Sequence, residues 1–127
     1  WMARSWTLTH SERPWTANAE RRWHHMKRAQ MVRSWRTTWG WLARAERIPR
    51  LHRVRITATP LARSRRWTSD VAACYPAVKA AIDGLVDAGV LDDDDPRHLL
   101  SLTFEAVRIC GRDGLELVIV EERGDAE

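Results

Sequence analysis

Residues 76–89 read Pro76-Ala77-Val78-Lys79-Ala80-Ala81-Ile82-Asp83-Gly84-Leu85-Val86-Asp87-Ala88-Gly89. Val78, Ala81, Ile82, Leu85 and Val86 recur at three-to-four spacing, which predicts a helix over residues 76–88 with one apolar face. Proline suits its first turn, where the backbone N–H has no helical partner, and Gly89 is placed to end it. Upstream, Val54-Arg55-Ile56-Thr57-Ala58 alternates as a half-buried strand does, and Pro60 is expected to close it. Downstream, residues 99–109 and 115–121 read as strands joined by Gly111-Arg112-Asp113-Gly114, whose Asp-Gly step signals a hairpin. A strand, a helix and two further strands in this order specify an α/β (α+β) fold.

Further toward the N-terminus, Trp6-Thr7-Leu8-Thr9 predicts a short strand, ended by the polar, proline-containing residues 10–14. Residues 17–47 carry Trp23, Met26, Gln30, Trp35, Trp39 and Leu42 near a helical repeat with basic residues between them. This predicts one long amphipathic basic helix, weakened at Gly40 and ended by Pro49. The expected architecture is a small mixed sheet of about four strands with two main helices, in a single domain over residues 1–127.

Such a chain can bury a core: of its 127 residues 44% are hydrophobic and 30% charged, a globular composition. It has no apolar run of the roughly 20 residues that a spanning helix needs. Its start, Trp1-Met2-Ala3-Arg4, lacks the apolar stretch of a signal peptide, so the expected compartment is the cytoplasm, with no membrane partner. Cys74 and Cys110 form no CxxC pair and are expected to be reduced and buried. The net charge of +4 hides an asymmetry: residues 1–67 hold 16 basic and 3 acidic residues, a balance of +13, and residues 68–127 hold 5 and 14, a balance of −9. All eight tryptophans also lie in the first half. Arginines interleaved with aromatic rings suit a polyanion, because cations displace phosphate counterions and exposed rings stack on bases. Arg21, Arg22, Lys27 and Arg28 on the predicted helix, and Arg63, Arg65 and Arg66 on the loop after the strand, are the candidate DNA-binding residues, with Lys79. The plainer reading makes the tryptophans core and the arginines a solvated rim. His24 and His25 are adjacent on the predicted helix, diverge by about 100° there, and do not suit chelation.

Chemistry concentrates between Asp70 and Asp95. Acids before a helix and on the loop after it can converge, and convergent carboxylates are the usual oxygen cage for Mg²⁺, with a nearby lysine to neutralise phosphate. Asp92-Asp93-Asp94-Asp95 before Pro96 also has the composition of a solvated turn or cap, and it does not match an EF-hand loop.

The spacing of this segment resembles the RusA family of Holliday-junction resolvases, which carry Asp-x-Asp-Asn, then a lysine, Asp-x-Leu, a glycine and a closing Asp-Asp. Asp70 falls at the first aspartate, Lys79 at the lysine, Asp83-Gly84-Leu85 at Asp-x-Leu, Gly89 at the glycine and Asp93-Asp94 at the closing pair. The run at residues 79–91 is similar to phage and prophage members, and Thr16-Ala17-Asn18 before Arg21-Arg22-Trp23 resembles the family's asparagine-containing segment. The resemblance covers about residues 65–99 closely. It implies a homodimer that binds four-way or other branched DNA and hydrolyses phosphodiester bonds with Mg²⁺, for which Mn²⁺ can substitute. It assigns Asp70, Lys79 and Asp94 as catalytic and Asp70, Asp94 and Asp93 as metal ligands, with Asp93 orienting a water from the second shell. This chain departs from the pattern at Ala72 and Ala73, which replace the second aspartate and the asparagine and cannot bind metal or donate a side-chain hydrogen bond. Two alternatives therefore stand beside the nuclease: a RusA-like protein that binds branched DNA without cutting it, and a structural protein whose basic and acidic halves neutralise each other.

Overall fold

A computed structural model of the chain describes residues 3–66 and 70–123. The fold is mixed α/β. Strand β1 (Ser5–His10) is followed by a single-turn helix α1 (Ala17–Glu20), the long helix α2 (His25–Ala45), strand β2 (Val54–Ala62), helix α3 (Tyr75–Asp87) and strands β3 (Leu99–Phe104), β4 (Arg108–Ile109) and β5 (Gly114–Glu121). The sheet order is β1-β5-β2-β3, with β4 also pairing with β2. β5 runs antiparallel to both β1 and β2, whereas β3 and β4 run parallel to β2. The β2–α3–β3 segment is thus a parallel crossover unit, for which a helix is the usual bridge.

Cross-strand partners share a face of a sheet, and successive residues alternate between faces. One row therefore runs Leu8, Leu117, Ala58 and Phe104, and the next runs Thr7, Val118, Thr57 and Thr103. The first row faces the helices. Leu8, Val54, Ile56, Ala58, Leu115, Leu117 and Ile119 join Trp35, Trp39 and Ala43 of α2 and Ala77, Val78, Ala81, Ile82 and Leu85 of α3 in one buried cluster. Period-2 strands and a period-3.6 helix thus converge on one core, and the threonine-rich row forms the opposite face.

Three departures from the expected elements have local causes. The 17–47 helix is two helices, broken over residues 21–24, where His24 leaves helical geometry and its Nδ1 accepts the Met26 N–H as a cap (3.2 Å). Gly40 does not weaken α2: it is buried at the crossing with α3, where its Cβ position lies 3.0 Å from the Gly84 carbonyl oxygen. Strand β2 continues through Pro60 to Ala62. The carbonyls of Ala58 and Ala62 accept Glu105 and Cys110 N–H on the β3/β4 side, so by alternation the Pro60 nitrogen points to that side too. It faces the gap between β3 and β4, where no ladder donor is required, which is where proline is tolerated in a sheet.

The same gap divides the expected strand over 99–109 into β3 and β4. Nor is the Asp-Gly step a hairpin between neighbours, because β2 lies between β4 and β5. The connection passes over the end of β2 instead, and Asp113 Oδ1 accepts the Arg63 N–H at 2.9 Å. Cys74 is buried, and burial pushes its thiol up to about 11, but Cys110 is exposed, contrary to expectation. Among the described residues no helix is long and apolar enough to cross a membrane. The expectations for Trp1 and Met2, for Trp67 at the end of the basic loop, and for residues 124–127 of the acidic tail lie outside the described residues.

Candidate active site and nucleic-acid interface

Helix α3 starts after a turn in which Asp70 O accepts the Ala73 N–H (2.9 Å) and Ala72 O accepts the Tyr75 N–H (3.1 Å). Its far end closes with Gly89 at φ 83°, where Gly89 and Val90 donate to the carbonyls of Val86 and Leu85. That pair of bonds is a Schellman motif, which glycine favours because it needs a left-handed residue. The aspartate-rich loop then folds back along the helix. Asp94 meets Lys79, eight residues or about two turns before the end of α3. Lys79 Nζ donates to Asp94 Oδ2 at 2.5 Å and to Asp83 Oδ1 at 2.7 Å. Partial burial works against the Lys79 charge, but the hydrogen bonds to Asp83 and Asp94 outweigh it and raise its pKa above the ordinary lysine value. The Lys79 hydrogen bond in turn holds Asp94 below the usual carboxylate range, against partial burial. Lys79 and Asp94 are both ionised at neutral pH.

The four consecutive aspartates have different tasks. Asp92 pairs with Arg50. Asp93 Oδ1 accepts the Asp94 N–H at 2.8 Å, which orients the loop. Asp95 accepts the Arg97 N–H and pairs with its guanidinium at 2.7 Å. The solvated-turn reading thus describes Asp92, Asp93 and Asp95, and Asp94 alone reaches Lys79. Asp70 is exposed, and among the described residues its carboxylate has no hydrogen bond or ion pair with Lys79 or Asp94. No group of three or more His, Cys, Asp or Glu side chains converges to hold a metal among the described residues. The structure therefore joins Lys79 to Asp94 but does not gather Asp70, Asp93 and Asp94 into one cage. Asp83, absent from the expected catalytic set, completes the cluster, and its four-residue spacing from Lys79 on a helix was the available signal.

The basic groups fall in two places. Arg63, Arg65 and Arg66 lie exposed on the β2–α3 connection, and Arg63, Ser64 and Arg66 line a shallow groove with Arg13 and Asp113. Arg13, which was not among the candidates, pairs with Asp113 at 3.1 Å. Arg21, Arg22, Lys27 and Arg28 are exposed around the start of α2. Lys27 Nζ sits 4.7 Å from the Trp23 ring, and Arg28 lies 3.9 Å from Glu20. The Ala17 N–H donates to Ala73 O at 2.9 Å, tying this segment to the turn before α3.

Elsewhere, arginines of the basic half pair with acids of the acidic half, as in Arg4–Glu121, Arg36–Asp87 and Arg50–Asp92. The tryptophans divide too: Trp15, Trp35 and Trp39 are core, and Trp41 is 65% exposed. His24 and His25 do not diverge, because His24 is non-helical, and their ring centroids lie 4.2 Å apart. No protein-family model matches the chain, and no curated protein matches it.

Proposed function

We propose that this chain binds branched DNA and hydrolyses its phosphodiester bonds with Mg²⁺, acting as a RusA-like junction endonuclease in the form of a homodimer. The observation that carries this reading is the return of Asp94 across 15 residues of chain onto Lys79, one of two lysines in the sequence. A loop that served only as a solvated turn has no need to place a carboxylate there.

Mg²⁺ takes oxygen ligands, and the Asp94 and Asp83 oxygens already converge on one cation, the Lys79 ammonium, so the donors fit one small hard ion. Asp94 and Asp83 would hold it; Asp70 and Asp93, the other expected ligands, do not join this pair among the described residues. When bound, the ion supplies Lewis-acid polarisation of the scissile phosphate and a lowered pKa for water. Lys79 stabilises charge gathering on the phosphoryl oxygens once a phosphate competes for its protons. Arg63, Arg65 and Arg66, on the same connection as Asp70, hold the backbone without reading sequence. Two copies related by a two-fold axis match the near two-fold symmetry of a four-way junction.

A second reading, binding of branched DNA without cleavage, is favoured by Ala72 and Ala73 and by the engagement of both carboxylates with Lys79. Labelled four-way junction and linear duplex, incubated with and without Mg²⁺ and scored for binding and cleavage in the same samples, separate the two. Mg²⁺-dependent cuts on the junction support the nuclease; tight junction binding with no cuts in Mg²⁺ or Mn²⁺ supports the second reading; no binding excludes both.

A further inference from the structure

We infer that the projecting start of α2 is a groove-insertion element that enters the major groove of duplex DNA with Met26 at its tip. This rests on the DNA-binding reading above and names the element and groove that carry it. Residues 24–30 are all exposed, and Met26 is 67% exposed. Since 25–30 are helical, six consecutive residues cover every direction around the axis, so this part of α2 buries no stripe; its contacts run back to the segment just before it, Lys27 to the Trp23 ring and Arg28 to Glu20. A helix kept only for the core would bury one stripe here, as α2 does further along at Trp35, Trp39 and Ala43.

The projection is about 9 Å long, at 1.5 Å per residue. The major groove is about 8.5 Å deep and about 12 Å wide, and a helix with side chains is about 10–12 Å across. Exposure all round lets such a helix meet both groove walls at once. Its charge selects a polyanion: Arg21, Arg22, Lys27, Arg28 and Arg33 are exposed here, and the nearby acid, Glu20, is occupied by the Trp15 Nε1–H at 2.9 Å and by Arg28. An acidic membrane is a poorer match, because an in-plane helix needs a continuous apolar stripe and this segment offers Met26 and Ala29. Met26 suits base edges, where apolar side chains contact thymine methyls. The bond from Ala17 to Ala73 ties α1, the single turn of helix that precedes the element, to the turn that carries Asp70.

The test is dimethyl sulfate protection of guanine N7, a major-groove atom, together with the salt dependence of affinity, on four-way junction DNA. Wild type is expected to protect N7 positions. The variant carrying Arg21→Ala, Arg22→Ala, Lys27→Ala and Arg28→Ala is expected to lose that protection, and its log-log salt slope to fall by about 3–4. Met26→Glu, an exposed single change, is expected to weaken binding about tenfold and remove protection with the circular dichroism spectrum unchanged. Junction binding by wild type without N7 protection, or wild-type protection and slope in the fourfold variant, overturns the insertion element and leaves the DNA-binding reading standing. Binding to anionic vesicles in preference to DNA, or no DNA binding at all, overturns both.

Discussion

Ala72 stands at φ 70°, in the left-handed region, within the turn that leads into α3. A residue with a Cβ is strained there by about 1–2 kcal/mol, and aspartate and asparagine tolerate the region better than alanine. The backbone at this position thus suits an acid or amide better than the alanine in it. Ala72→Gly is therefore expected to stabilise the fold by about 0.5–1 kcal/mol in urea titration, once glycine's extra unfolded-state entropy is deducted. Ala72→Asp is expected to shift stability in the same direction by less; a loss of stability in both variants contradicts the left-handed assignment. The sequence showed that Ala72 cannot bind metal, and it held no sign of the strain, because φ at a single alanine depends on the turn around it. The partnership of Lys79 with Asp83 was legible from spacing, whereas that of Lys79 with Asp94 depends on a loop path no local pattern encodes.

Helices α2 and α3 meet at Gly40 and Gly84. A Cβ on Gly84 would lie 2.5 Å from the Arg36 carbonyl oxygen and 3.1 Å from the Gly40 nitrogen, both backbone atoms that cannot swing aside. Beside this crossing Arg36 clamps Asp87 with two hydrogen bonds, at 2.9 and 2.8 Å. Gly84→Ala is expected to cost about 1–3 kcal/mol through overpacking, read as a lower urea midpoint; an unchanged midpoint would mean the helices separate freely. Because α3 carries Lys79 and Asp83, the same substitution displaces the site. At this scale the periodic segments were readable: β1, the apolar face of α3 and its glycine stop all follow from residue spacing. What failed was punctuation. Pro60 signalled the end of a strand, yet its missing N–H faces a gap in the neighbouring strand. The Asp-Gly step signalled a hairpin, yet β2 separates the two strands it joins. Both errors concern which strand lies alongside, and strand order is set by the shared core.

Across the whole molecule the charge asymmetry resolves into two populations, one neutralised between the halves and one left around the start of α2 and on the β2–α3 connection. Acids held by a cation, across the halves or within one, set the acid limit of stability. Asp87 is held low by Arg36, Asp94 by Lys79 and Glu121 by Arg4. Because these pKa values are lowered by folding, their contribution is present above the ordinary carboxylate range, about pH 4, and is lost as pH falls through the lowered values. His10 is also lowered, by burial against Trp35 and Trp39, with Glu12 opposing the shift. Its neutral form is favoured by folding, so its contribution holds above about pH 6.5 and declines as pH falls below that. Urea midpoints are expected to decline in two stages, and His10→Phe is expected to flatten the stage between about pH 7 and 5. An unchanged upper stage in that variant would remove His10 as its cause. The composition suggested a polyanion partner, but not that part of the contrast is internal, since ion pairing across 42 to 117 residues leaves no local trace.

The central claim, that Asp94 and Lys79 belong to a phosphodiesterase site, is tested most directly by single-turnover cleavage of a saturating four-way junction in Mg²⁺, comparing wild type with Asp94→Asn and measuring binding on the same samples. The account predicts that wild type cuts, and that Asp94→Asn cuts at least about a hundredfold more slowly. It also predicts that the variant binds the junction as tightly or more tightly, because removing a carboxylate beside DNA removes repulsion. Equal cleavage by the two proteins, or junction binding by wild type with no cleavage at any Mg²⁺ or Mn²⁺ concentration, would contradict it.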